Sequence, residues 1–188
     1  MEEQMEREIA GYDVTEIENF VVKRSNQYLE RFERLAQNKR PKFNWAAAIF
    51  GIYWMGYRKM WREGIIYYAC YTIFDLLISA IIFFLHKFAL IGTAEQAYNL
   101  FYIPVLINII VMGMIGDRIY WRNIRRRTDY AHLPQEIREN KIGFLSIHKE
   151  CKGTSIWLGA LPMLFWKELF DKLFEFLSFI MAYYIGKL

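Results

Sequence analysis

The sequence predicts an all-α membrane protein. The expected fold is a small helical bundle with two full transmembrane helices, one short re-entrant or interfacial aromatic-rich helix, and a C-terminal amphipathic, partly membrane-embedded helix. Three observations carry this expectation. Residues 65–85 hold one charge, Asp75, in 21 positions, and residues 97–116 hold none in 20. Helices of that length rise about 30 Å at 1.5 Å per residue, the hydrocarbon thickness of a bilayer. The third observation is composition: 55% of the 188 residues are hydrophobic and 18% aromatic, yet 23% are charged. A mean hydropathy of +0.06 therefore averages two chemically different parts. Such composition excludes a disordered chain. Two Cys are too few for a disulfide scaffold or a four-cysteine zinc site.

The chain opens polar. Residues 1–42 carry eight Lys/Arg and nine Asp/Glu. The acidic start, Met1-Glu2-Glu3-Gln4-Met5-Glu6, lacks the basic-then-apolar order of a cleaved signal. Thr15-Glu16-Ile17-Glu18 has the spacing of a capping box. Val21, Tyr28, Phe32 and Leu35 then fall on one helical face, with Ser25 and Asn26 as candidate caps of a second helix. This region reads as cytoplasmic and helical. Its apolar face would pack on the rest of the protein or dock a partner.

Phe43 to Tyr57 is an uncharged run of 15 residues between Lys39, Arg40, Lys42 and Arg58, Lys59, Arg62. A straight helix of that length is short for a crossing, and both flanks are basic, which places both on the cytoplasmic side. A helix that dips into the inner leaflet and returns satisfies both conditions; a thin span is the alternative. Residues 65–85 then run outward and 97–116 return, with the link 86–96 outside. Trp45, Tyr53, Trp54, Tyr57, Trp61, Tyr120 and Trp121 stand near the inner boundary, where amphipathic rings favour the headgroup level. Core packing of rings is the alternative for part of this aromatic excess.

The second span continues into Arg118, Arg122, Arg125, Arg126 and Arg127. Basic groups at a cytoplasmic membrane edge attract anionic lipids by about 1 kcal/mol each. With Arg58 and Lys59 they make the expected lipid-facing set. Nucleic acid is not expected as a partner, since net charge is only +4. Residues 128–153 read as a cytoplasmic loop with a short helix at 135–142. Residues 154–188 read as one long or two short apolar and amphipathic helices. The expected units are thus 1–42, a membrane domain at 43–127, the loop 128–153, and the C-terminal helix 154–188.

Chemistry-bearing residues are few. Asp75 and Asn108 lie near the middle of their spans, and Thr72, Asp75, Ser79 and His86 share a helix face. Intramembrane polar groups either mark a functional pathway or hydrogen-bond helices together. His148 and Cys151 lack companions for zinc. Gly113-Met114-Ile115-Gly116 points to close packing. No phosphate loop, nucleophile elbow or zinc-protease motif occurs in the sequence, so no catalytic residue, metal or cofactor is expected.

Lys42-Phe43-Asn44-Trp45-Ala46-Ala47, followed by Gly51, Trp54 and Tyr57-Arg58-Lys59-Met60, resembles the bacterial membrane-protein family known as domain of unknown function 2628 (DUF2628). Asn26, Tyr28 and Phe32 are similar to its preceding helix, and Gly153-Thr154-Ser155 to its later Gly-Gly-Thr-Ser turn. Ile52 stands where the family commonly has Pro, and Lys152 where it has the first Gly. The resemblance implies a bacterial inner-membrane protein with no agreed activity, and it brings no catalytic residue.

The functional expectation is a non-enzymatic multi-pass membrane protein acting by protein–protein interaction, as an accessory, regulatory or immunity-type subunit. It would have a protein partner or form a homo-oligomer. The alternatives are a small channel or transporter component using Asp75 and Asn108, and a protein that binds anionic membrane lipids or remodels the envelope.

Overall fold

The structure is a computed structural model. It describes residues 7–88, 100, 102–135, 137, 154, 164–165, 167–169, 171–172 and 175–176. It is mostly helical (80%). The elements run β1 (Glu8–Ile9), β2 (Tyr12–Asp13), α1 (Val14–Val21), α2 (Ser25–Ala36), α3 (Trp45–Tyr57), α4 (Trp61–Lys87) and α5 (Tyr102–Ala131).

The β-hairpin is an addition to the all-α expectation. Its strands pair antiparallel through Ile9 and Tyr12. The two linking residues, Ala10 and Gly11, have φ of 56° and 81°, the positive-φ pair that a tight hairpin requires. Asp13 then caps α1: its carboxylate accepts from the Thr15 amide at 2.9 Å. The expected Thr15–Glu18 capping box is therefore not used, because the hairpin delivers a better acceptor two residues earlier. Likewise Ser25 and Asn26 do not cap α2. The helix begins after Arg24, which is left-handed at φ 58° and makes no side-chain cap.

The core lies at one end of the molecule. Ile9, Ile17, Phe20, Val21, Tyr28, Leu29 and Phe32 pack against Trp54, Met55 and Met60, and against Met112, Tyr120, Trp121 and Ile124 of α5. The Val21–Tyr28–Phe32 face of α1 and α2 is thus filled from within: Phe32 stacks on Trp121 at 4.8 Å, and Tyr28 meets Tyr120 edge-on at 5.1 Å. That face is not a docking surface, since α5 occupies it.

Beyond this base, α4 and α5 project as an apolar pair. Both are long and apolar enough to cross a membrane; only 6% of the most apolar stretch of α4 and 28% of that of α5 is buried. Ile66, Ile73, Leu77 and Ile81 on α4, and Leu106, Ile110 and Met114 on α5, are exposed. A core helix of the same composition would hide these side chains. The apolar run of α5 and its arginine segment form one continuous helix.

α3 is two short helices joined at Gly51, whose φ of +46° and ψ of −120° break the helix. Asn44 caps it, its Oδ1 accepting from the Ala47 amide at 3.0 Å. The start of the second span before 100, the link at 89–96, the helix expected at 135–142 beyond 137, most of the C-terminal segment, and His148 and Cys151 lie outside the described residues.

Candidate functional site

Three polar residues of the base, Arg31, Asn44 and Asp117, meet at one turn of α5. Asp117 is 1% exposed. Its Oδ1 accepts from Asn44 Nδ2 and its Oδ2 from an Arg31 guanidinium nitrogen, each at 2.6 Å. A buried carboxylate is stable only when paired and hydrogen-bonded, and here α2 and the loop before α3 supply both partners. The Asn44 amide also donates to the Gly113 carbonyl at 2.8 Å.

The two glycines of α5 admit this contact. A Cβ on Gly113 would lie 2.0 Å from the Phe43 ring, and one on Gly116 would lie 2.7 Å from Ala47 Cβ. The segment Phe43-Asn44-Trp45-Ala46-Ala47 is therefore a docking unit that fits a small-residue seat on α5. Trp45 alone turns outward, 69% exposed.

Arg58 fastens the other end of α3. It is 4% exposed, and one terminal nitrogen donates to the carbonyls of Val21 (3.3 Å) and Lys23 (3.2 Å) and to the Tyr120 hydroxyl (3.4 Å). Its guanidinium lies 4.4 Å from the Tyr28 ring centre, 5.2 Å from Tyr120 and 5.8 Å from Tyr57. Quadrupolar ring faces stabilise a desolvated cation.

What Arg58 holds is a strained turn. Val22 has φ 54° and ψ −64°, and the Lys23 amide donates back to the Val21 carbonyl at 2.7 Å. This is the rare positive-φ γ-turn, uncommon for any residue and an outlier for a β-branched one. Val22 is itself 57% exposed, so burial of its side chain does not explain the geometry.

Lys23 and Arg24, which follow the turn, line a cavity of about 800 Å³ that Arg58 also lines. Phe50, Tyr53, Trp54 and Tyr57 of α3 line it as well. Lys23 reaches the Tyr57 ring. Hydrogen bonds with Thr154, then with Lys23, together with the nearby Arg58 charge, hold the Tyr57 hydroxyl below its ordinary value despite burial. Across the base a second, polar cavity of about 610 Å³ lies between the hairpin, the end of α2 and α5, and Lys39, Arg118, Arg122 and Arg125 line it.

Several residues expected at a lipid-facing boundary are inside the protein instead. Trp54, Arg58, Trp61, Tyr120, Trp121 and Arg127 are buried. Arg127 donates to the Lys59 carbonyl; Arg126 and Asn123 donate to the two oxygens of Glu63 at 3.1 and 2.9 Å. The α3–α4 corner and α5 use these groups for each other, which the sequence concealed because the partners come from distant segments. Trp45, Arg118, Arg122 and Arg125 are exposed.

Among the described residues no hydrogen bond links Asp75, Asn108, Thr72 and Ser79 to one another. Asn108 accepts from the Tyr67 hydroxyl, and Thr72 donates to the Tyr68 carbonyl of its own helix at 2.9 Å. Ser79 has no partner among the described residues. Asp75 is half-buried, and no hydrogen bond joins it to Asn108 among the described residues. Asp171 instead reaches α4, accepting from Tyr68 at 2.6 Å and from Lys167. Among the described residues no group of three His, Cys, Asp or Glu side chains could hold a metal ion.

Fold and site define a class: a helical protein whose packed polar–aromatic base carries two helices long and apolar enough to span a membrane. A family model described as protein of unknown function (DUF2628) matches residues 16–126, and the chain belongs to that family. The matched stretch contains Arg31, Asn44, Arg58, Asp117 and Tyr120, the residues that build the base. No curated protein and no solved structure matches the chain.

Proposed function

We propose that the chain is a non-enzymatic, multi-pass protein of the bacterial inner membrane that acts by protein–protein interaction. In this reading α4 and α5 cross the bilayer, α3 dips into the inner leaflet, and the base with the N-terminus lies on the cytoplasmic side. The observation that carries it is the division of exposed side chains at one level of α5. Leu106, Ile110 and Met114 lie exposed on one side of Asp117, and Arg118, Arg122 and Arg125 on the other. Exposed cations on the cytoplasmic flank accord with the charge bias of membrane topology. The re-entrant reading of α3 is supported by the break at Gly51. It is also supported by the fastening of the two ends of α3, through Asn44 and Arg58, to Asp117 and Tyr120, one turn apart on α5.

The polar cavity is the docking surface for the partner. Lys39, Arg118, Arg122 and Arg125 line it, and among the described residues none of the four forms an ion pair. Its natural occupant is an acidic segment of a second protein, because complementary charge steers association. Leu35 also lines this cavity, and the test is photo-crosslinking from that position in native membranes. A stoichiometric partner, lost in the R118Q/R122Q/R125Q variant, is expected. A chain that alkaline carbonate strips from membranes, or a clean monomer without cross-links, would contradict the proposal.

A further inference from the structure

We infer that the 800 Å³ cavity between the α1–α2 turn and α3 is a binding site for one anionic phospholipid. The inference rests on the membrane reading above and adds a ligand and a site to it. Three cations, Lys23, Arg24 and Arg58, line the cavity, and among the described residues none of them is paired with a carboxylate. Arg58 is buried to 4% exposure. A buried cation without an anion is costly, and an anionic, oxygen-rich group entering the cavity supplies the missing counter-charge.

The rest of the wall selects what that group is attached to. Phe50, Tyr53 and Trp54 of α3 add apolar surface to the same cavity. Phe50 is 59% exposed and is followed outward by exposed Ile49 and Trp45 on the first half of α3. The cavity is therefore polar and cationic at the α1–α2 turn and continues into an apolar face. A phosphate headgroup fits the first part and an acyl chain the second. A free phosphate compound would satisfy the cations and leave the aromatic wall without a role.

The strained turn fits the same purpose. Residues kept in sparsely populated backbone regions persist where the surroundings over-determine them, and they cluster at ligand-binding positions. Here Arg58 bonds the carbonyls on either side of Val22, and Lys23 and Arg24, which follow directly, line the cavity.

The experiment uses the full chain in detergent and in nanodiscs of phosphatidylcholine with or without phosphatidylglycerol. Native mass spectrometry should show one phosphatidylglycerol per chain, surviving exchange into lipid-free detergent. K23Q/R24N is the test variant: both positions are exposed, and Asn tolerates the left-handed backbone at 24. Its lipid occupancy should fall about thirtyfold, whereas R122Q/R125Q should retain it. Phe50→Ala should weaken lipid retention as well. Equal occupancy in K23Q/R24N and the parent chain would overturn the proposal. So would displacement of the lipid by inorganic phosphate or glycerol phosphate alone, which would make a soluble phosphate compound the ligand. Release by alkaline carbonate would instead overturn the membrane reading, while the detergent measurement would still report the site.

Discussion

Asn44 and Asp117, 73 positions apart in the chain, meet at 2.6 Å in the buried centre of the base. The same Asn caps α3 through its other side-chain atom. Asn44→Ala therefore removes a helix cap and one partner of a buried carboxylate. Each loss costs about 1 to 2 kcal/mol, so a destabilisation of about 2 to 4 kcal/mol is expected in thermal unfolding. Asn44→Asp places a like charge on Asp117 and should be the more damaging of the two.

The glycine seat gives a paired prediction. Gly116→Ala brings a methyl within 2.7 Å of Ala47 Cβ, a rigid neighbour, and overpacking of this kind costs about 1 to 3 kcal/mol. Ala47→Gly in the same chain should recover part of that loss. A double-mutant cycle with no coupling would show that the two helices do not meet there.

Arg58→Lys keeps the charge and loses the planar fork and its stacking. About 2 kcal/mol of stability should be lost, with greater protease sensitivity between residues 21 and 25. Val22→Gly is expected to be neutral or stabilising by up to about 1 kcal/mol, because it relieves the positive-φ strain. An ordinary Val→Gly penalty at 22 would contradict the strained turn.

The apolar helices carry a modest internal tie. Asn108→Leu orphans the Tyr67 hydroxyl and should cost about 0.6 to 1.7 kcal/mol, the range for hydrogen bonds between membrane helices. Asp75→Asn should leave partner binding intact. Loss of an ion flux on Asp75→Asn would favour the channel or transporter alternative.

The long apolar helices were legible because missing charge is a one-dimensional signal. The motif around Asn44 was visible too, but not its partner: Asp117 follows an apolar run directly and so reads as a boundary charge. Arg58 is ambiguous in the sequence for a related reason. A basic residue flanking an apolar segment looks like a topology signal, and only the fold shows three tyrosines from α2, α3 and α5 enclosing it. Much of the aromatic excess, including Tyr28, Phe32, Tyr120 and Trp121, proved to be core packing. The hairpin leaves no sequence signal because two-residue strands carry no alternation. The strained turn at Val22 has no sequence signature, since glycine, its usual marker, is absent there.

Topology is the central claim, and single-cysteine labelling with a membrane-impermeant reagent tests it most directly. On a background with Cys70 and Cys151 replaced by Ser, Lys39→Cys, Arg62→Cys and Arg125→Cys should react only from the cytoplasmic side, and Lys87→Cys only from outside. Labelling of Lys39→Cys from outside would contradict the re-entrant α3 and the cytoplasmic base together.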